Sequence, residues 1–223
     1  MHNHTTAHPA LAHHFDSLDQ QQEAASLGMW VFLLTEILFF GGLFLVYTIY
    51  RGWYPQAFAS ASHHLDIPLG TINTAVLIGS SLTMAMAVHA AQLNSRKGIM
   101  VFIVLTMVLG TVFLGIKGLE YSHKFHEHLI PGLHFEYAAA PQFVRHAQIF
   151  FSLYFVMTGL HAAHMIVGMG LMTWMLIWTA RGVIGNGYYS PVEIVGLYWH
   201  FVDIVWIFLF PLLYLIGYHY GAH

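Results

Sequence analysis

Long runs of apolar residues recur along the chain, separated by polar segments. A helix that crosses a membrane needs about 20 mostly apolar residues, because it rises about 1.5 Å per residue through roughly 30 Å of hydrocarbon. Stretches that meet this requirement cover residues 27–50, 69–92, 98–119, 147–180 and 191–218. The pattern therefore predicts an all-α fold, a polytopic membrane helix bundle of about five transmembrane helices over residues 27–218. The fourth stretch exceeds the thickness of the bilayer core, so we expect it to tilt or project.

The other segments are predicted to lie outside the hydrocarbon core. Residues 1–26 contain no Lys or Arg and no apolar run. They lack the parts of a secretory signal, so we expect the first span to direct insertion and the His-rich tail to be disordered. Residues 121–145 are too polar to enter lipid and are predicted to form a surface cap. Residues 219–223 form a short C-terminal tail.

The composition agrees with a membrane protein and excludes several functions. Hydrophobic residues make up 57% of the chain and charged residues only 8%, against about 25% charged in a soluble domain. The formal net charge is −3 without a basic cluster, so nucleic-acid binding is not expected. Because the chain has no cysteine, thiol catalysis, disulfides, iron–sulfur clusters and thiolate zinc sites are excluded. A metal would need His and carboxylate ligands.

Glu36 lies well inside the first predicted span, where an ionisable group costs roughly 3 kcal/mol on insertion scales. Its sequence context is Thr35-Glu36-Ile-Leu-Phe-Phe-Gly41-Gly42. Such a group normally faces protein or water, and burial favours the protonated carboxyl. We interpret Glu36 as a proton-linked or lipid-binding carboxyl, or alternatively as a hydrogen-bonded contact between helices.

His161 and His164 in the fourth span are three residues apart and therefore share a helix face. They are candidates for a metal or for a haem shared with His89 or His200 on a facing helix. The chain has few other ligands at suitable spacing, whereas a structural zinc takes four. Hydrogen bonding between helices is the favoured interpretation, and no metal site is predicted.

The fifth span carries a polar stripe. Glu193, His200 and Asp203 are separated by seven and three residues, which places all of them on one face of a helix. Polar groups on one face of a span normally meet protein. We therefore expect this stripe to face protein rather than lipid.

Three motifs together resemble subunit III of the haem–copper oxidases, the cytochrome c oxidase type. They are Gly-Met-Trp-Val-Phe-Leu-Leu-Thr-Glu-Ile-Leu-Phe-Phe-Gly-Gly at 28–42, Thr-Gly-Leu-His-Ala-Ala-His-Met-Ile-Val-Gly at 158–168, and Leu-Tyr-Trp-His-Phe-Val-Asp-Ile-Val-Trp-Ile-Phe at 197–208. Residues 73–77 and the Gly-Leu-Glu120-Tyr segment at 118–121 give weaker support. The resemblance covers nearly all of residues 27–218.

The resemblance implies a non-catalytic subunit that packs on oxidase subunit I, neighbours subunit II, binds phospholipid and supports proton uptake and stability during turnover. Haem and copper are expected in subunits I and II, and no cofactor in this chain. Glu36 falls on the carbodiimide-reactive carboxylate of the family. The other polar residues within family motifs are Glu120, His161, His164, Glu193, His200 and Asp203.

The resemblance also implies a location in the bacterial plasma membrane, with the N-terminus cytoplasmic and the C-terminus external. Charge alone does not decide the orientation, because Lys and Arg outside the spans divide equally between the two sides. The long members of the family have seven spans and a lipid-filled cleft between the first two and the rest. This chain resembles the short bacterial form, so what faces Glu36 is open.

Other functions compete with this interpretation. A quinol oxidase or nitric-oxide-reductase subunit would share the five-span layout, a haem-binding electron carrier would use the span histidines, and an ion-coupled transporter would use Glu36 and Asp203. The oxidase subunit could also belong to a larger respiratory assembly. Finally, the tail histidines have an ordinary pKa near 6.5 and are candidates for collecting protons; they are His2, His4, His8, His13 and His14.

Overall fold

The structure is a computed structural model and describes residues 11, 13–132, 135, 137, 141–184 and 188–216. This part of the chain forms six helices: α1 (Leu18–Trp53), α2 (Pro55–Ser62), α3 (Ile67–Gln92), α4 (Arg96–His126), α5 (Pro141–Ala180) and α6 (Ser190–Tyr214). All but the short α2 are long and apolar enough to cross a membrane. The predicted all-α bundle of about five membrane helices is therefore confirmed.

The helix boundaries differ from the predicted ones where capping groups extend a helix beyond its apolar run. Helix α1 begins at Leu18 because the Ser17 hydroxyl accepts a hydrogen bond from the backbone N–H of Gln20, 3.2 Å away. The tail predicted to be disordered over residues 1–26 was therefore drawn too long. Residues 18–26 of this segment are helical.

Two further segments differ from the predicted ones. The surface cap predicted over residues 121–145 is shorter, because α4 continues to His126 and α5 already begins at Pro141. Helix α2 lies between the first two predicted spans, in a segment for which no helix is predicted from the sequence. Pro55 occupies its first turn, where the missing N–H is not needed.

Helix α6 is the centre of the bundle and packs against α1, α3 and α5, while α3 and α5 both pack on α4. Trp199 of α6 is fully buried at this centre. Its ring lies against Gly110 of α4 and Gly168 of α5, where an added Cβ would come within 3.0 and 2.9 Å of it. Its indole N–H donates to the Ser80 hydroxyl of α3 at 2.9 Å. The Trp199 side chain of α6 thus sets how closely α3, α4 and α5 pack against α6.

The small polar residues of α3 allow its close packing. Thr74 accepts a hydrogen bond from the Trp206 indole at 3.1 Å, and the hydroxyls of Thr83 and Thr106 lie 2.8 Å apart. Helices in lipid associate through such close approach and interhelical hydrogen bonds.

Helix α1 lies at the edge of the bundle. Its buried residues are Leu33, Phe40 and Tyr47, spaced seven apart, so it contacts the bundle along one narrow stripe. The Tyr47 hydroxyl donates to the backbone carbonyl of Leu212 at 2.7 Å. Leu27 and Leu38 are each 68% exposed. Most of α1 is therefore available to lipid or another protein.

At the end of the bundle that holds α2, the loop before α3 is tied to α4. Lys124 is buried, donates to the backbone carbonyl of His64 and pairs with Glu127 at 2.9 Å. Partial burial of the imidazole and the positive charge of Lys124 lower the pKa of His64. His64 therefore packs as a neutral ring near Tyr137, with 5.3 Å between the ring centroids.

A buried ion pair joins α4, α5 and α6. Lys117 Nζ lies 2.9 Å from Glu120 Oε2 and donates to the hydroxyls of Tyr214 and Tyr154 at 2.8 and 3.1 Å. Both tyrosines also donate to Glu120 Oε1, at 2.6 and 2.8 Å. Lys117 and Glu120 are 4% and 2% exposed. The sequence places Lys117 within a span, but it does not predict that Tyr154 of α5 and Tyr214 of α6 lie beside it.

We predict that Lys117→Met destabilises the protein by about 3 kcal/mol or more, because it leaves the Glu120 carboxylate buried without its cation. The double variant Lys117→Met/Glu120→Leu should lose less, since both charges are removed. Thermal unfolding in mild detergent measures both effects. Lys97→Met, at an exposed lysine of the same helix, is the matched control. Equal unfolding temperatures for Lys117→Met and Lys97→Met would contradict the structural role of the pair.

Candidate functional site

Glu36 forms a polar pair with His164 across the contact between α1 and α5. Glu36 Oε2 lies 3.2 Å from His164 Nε2, and the two side chains are 18% and 19% exposed. His164 Nδ1 lies 2.8 Å from the backbone carbonyl of Leu160. Glu36 is therefore a partnered residue at the bundle surface, and the sequence did not identify its partner.

The hydrogen-bond geometry assigns one dissociable proton to this pair. A carbonyl oxygen only accepts, so His164 Nδ1 must carry a hydrogen. A hydrogen bond between Nε2 and Glu36 then needs one more proton, held either by the carboxyl or by the imidazole. The pair can consequently hold a proton and hand it between its two members.

Aromatic side chains surround the pair and limit its access to water. The Phe40 ring lies 5.3 Å from the His164 ring, and Phe32 stacks on Tyr198 at 6.0 Å. The Tyr198 hydroxyl donates to the backbone carbonyl of His164 at 2.9 Å. On α1, Gly41 and Gly42 have no neighbour within 4 Å of an added Cβ. The pair thus lies next to an open stretch of the α1 surface.

His161 does not share the surroundings of His164, although the two are close in sequence. It is 1% exposed and packs between Phe113 and Trp206, with ring-centroid distances of 5.5 and 5.2 Å. Neither of its ring nitrogens has a hydrogen-bond partner among the described residues. It lies in the core, facing α4 and α6, whereas His164 faces α1.

The histidines considered for a shared haem lie elsewhere. His200 Nδ1 is 2.8 Å from the Ser81 hydroxyl, between α3 and α6, and His89 is exposed in the last turn of α3. Within the described part of the chain, no three His, Asp or Glu side chains are grouped closely enough to hold a metal.

The polar stripe of α6 lies along its groove with α3. Glu193 accepts a hydrogen bond from the Gln92 amide at 3.2 Å. His200 lines two adjoining hollows, one together with Glu193 and the other together with Asp203. The three residues therefore share a face, and within this chain that face is covered on one side by α3.

The remaining predicted site residues have other positions. Glu120 belongs to the buried Lys117 network. His13 and His14 are exposed ahead of α1, and His2, His4 and His8 lie outside the described residues.

Comparison with known proteins identifies a family over most of the chain. The family model described as cytochrome c oxidase subunit III matches residues 12–127 and 128–218. A protein named "Probable quinol oxidase subunit 3" from Staphylococcus haemolyticus is 32% identical over 209 residues, which are 93% of this chain and 96% of the relative. The protein of the same name from Staphylococcus saprophyticus is 30% identical over 93% of this chain and 98% of its own length.

A further relative carries a different name. "Cytochrome c oxidase subunit 3" from Corynebacterium diphtheriae is 33% identical over 193 residues, which are 86% of this chain and 87% of the relative. Relatives of similar identity thus carry both oxidase names.

We predict that an apolar carbodiimide labels Glu36, because the reagent attacks a protonated carboxyl and this one lies beside an open apolar surface. Glu36→Gln should abolish the label. His164→Leu should accelerate labelling, since the carboxyl then keeps the proton that it otherwise shares with the imidazole. Mass spectrometry of the modified peptide measures the rate. His89→Leu serves as the control, and slower labelling of His164→Leu than of that variant would contradict the shared proton.

Proposed function

The chain belongs to the cytochrome c oxidase subunit III family, and we propose that it serves as a subunit without its own redox centre in a proton-pumping haem–copper oxidase of the cytochrome c type. Haem and copper reside in partner subunits I and II, where electrons reach oxygen. This chain packs on subunit I, binds lipid and supports proton uptake during turnover. The family match over residues 12–127 and 128–218 supports the general role.

The Glu36–His164 pair carries the specific part of the proposal. It holds one proton at the edge of the bundle, near enough to the surface of α1 to exchange with a neighbouring subunit. An ionisable pair inside a span is costly, so such pairs normally serve a function. Its position, about 14 Å into the apolar run that begins at Leu27, favours proton handling over contact with a lipid headgroup.

Phospholipid is assigned to the apolar outer face of α1. Large side chains there are exposed, among them Leu34, Ile37 and Leu45 at 58%, 56% and 61%. Acyl chains cover such a surface without the need for polar partners. In this proposal lipid seals the side of the Glu36–His164 pair that the first two helices close in the long members of the family.

A quinol oxidase is the second candidate. The names of the two Staphylococcus relatives support it, and the name of the Corynebacterium relative supports the cytochrome c type. The nature of the electron donor depends on subunits other than this chain.

In the proposed orientation the N-terminus is cytoplasmic and the C-terminus is external, in a bacterial plasma membrane. The exposed His13 and His14 then lie on the side from which protons are taken up. Together with the other tail histidines, they form a proton-collecting segment in this proposal.

Purification through a tag on this chain in mild detergent tests the assignment. We expect haem and copper to co-purify, and the complex to oxidise reduced cytochrome c with oxygen. Oxidation of a quinol without a binuclear copper centre would assign the complex to the second candidate. A preparation without any haem would contradict membership of an active oxidase.

Replacement of the proton-holding residue tests the role of the pair. Glu36→Gln should leave the initial rate of oxygen consumption within about twofold of wild type, because no redox centre is touched. It should shorten the time over which turnover continues, since proton uptake becomes slower. Oxygen-electrode traces at pH 8 measure both quantities. Thr48→Val, on the same helix and away from the pair, is the control, and identical traces for all three proteins would contradict the proposal.

A further inference from the structure

A groove runs along the outside of α3 and α6 and is apart from the Glu36–His164 pair. It has two adjoining hollows of about 360 and 350 Å³, which share Ala85 and His200. Its rim is apolar and exposed: Ile78, Leu82, Ile204 and Ile207 are 56%, 64%, 50% and 47% exposed. An outward-facing groove of this kind within a membrane span is covered either by lipid or by another protein.

Asp203 lines the groove and makes no hydrogen bond of good geometry among the described residues. It is 3% exposed, and neither carboxyl oxygen has a hydrogen-bond partner among the described residues. Ser81 also lines this hollow beside Asp203, but its hydroxyl bonds His200 Nδ1 at 2.8 Å and makes no hydrogen bond of good geometry to the carboxyl. A buried carboxyl without a hydrogen bond is destabilising. The chain alone therefore leaves a polar group here that a neighbouring molecule can satisfy.

Other buried polar groups without partners do not have this arrangement. Asn73 and His161 also make no side-chain hydrogen bond among the described residues, but neither lines the groove. Asp203 combines a missing donor with an outward-facing hollow. This combination distinguishes a docking position from a defect of core packing.

The depth of Asp203 decides between the possible occupants. It lies about 20 Å along α6 from Ser190, near the middle of the span. Lipid acyl chains carry no hydrogen-bond donor at this depth, and headgroups lie at the surface. A protein helix can bring a hydroxyl, amide or indole N–H to the middle of the membrane. The small side chains of Ser81 and Ala85 leave room for a close approach.

We propose that the α3–α6 groove is the docking surface for a transmembrane helix of another oxidase subunit, and that this helix donates a hydrogen bond to Asp203. The proposal rests on the proposed function, because it takes the partner from the oxidase complex. Glu193 and His200 extend the same stripe toward the start of α6. The occupant therefore meets polar groups at several levels along the groove, which would fix its register.

Photo-crosslinking within native membranes tests which molecule occupies the groove. A benzoylphenylalanine is placed at Ala85 in the groove, and in a control at Val108, a 52% exposed residue of α4. We expect the Ala85 probe to form an adduct with a membrane helix of another oxidase subunit, within one turn of a side chain that has a donor. Lipid adducts alone at Ala85, or no protein adduct, would overturn the proposal.

Substitutions in the groove provide a second measurement. Ala85→Phe fills the groove without altering the core, and Asp203→Leu removes the acceptor. Each should lower the amount of haem-bearing subunits retained by the tagged chain about tenfold, the loss expected for one interhelical contact of between one and two kcal/mol. Val108→Phe should lower it less than about twofold. Retention by Ala85→Phe equal to wild type would overturn the proposal even if Asp203→Leu fails to fold.

The two proposals fail in different ways. If the wild-type tagged chain retains no haem-bearing subunit, the proposed function is wrong. If it retains them, and the Ala85 probe reaches only lipid, the oxidase assignment stands and the docking surface is wrong.

Discussion

Polar groups inside a membrane protein find no water to bind, and this constraint organises the whole bundle. The Lys117–Glu120 pair shows how strictly it applies. The charged atoms of both residues are met by the other or by the hydroxyls of Tyr154 and Tyr214, so that two charges stay inside at an acceptable cost. Because the partners come from α4, α5 and α6, satisfying the charges also fixes the relative positions of these helices. The indole of Trp199, bonded to Ser80 and seated against two glycines, does the same for α3.

Against this background, the polar groups at the edge of the bundle stand out. Among the described residues the Glu36 carboxyl bonds only His164, and this contact needs one proton, which makes the pair suited to holding and releasing that proton. Asp203 is not satisfied within the described residues. The Glu36–His164 pair suggests proton exchange on the α1 side of the bundle, and Asp203 suggests a protein partner on the α3–α6 side. Both agree with a chain that works as one subunit of a larger oxidase.

Much of the fold could be predicted from the sequence, because each span is long and apolar enough to be recognised alone. Glu36 was also recognisable, as an ionisable residue where lipid should exclude one. Its partner could not be predicted, because one sequence does not show which helices face each other. His161 and His164 have the same kind of sequence context, but in the structure His161 lies in the core and His164 contacts α1. Some missed features did carry a signal. The i, i+3 spacing of Lys117 and Glu120, the Ser17 cap and Pro55 at the start of α2 are all visible in the sequence.

Polar groups left without a partner within this chain mark the faces that meet other molecules. Electron cryomicroscopy of the intact complex in native lipid tests it most directly. We expect a protein helix in the α3–α6 groove with a donor side chain at Asp203, and ordered lipid over the outer face of α1. Lipid in the groove, with Asp203 paired to nothing outside its own chain, would contradict it.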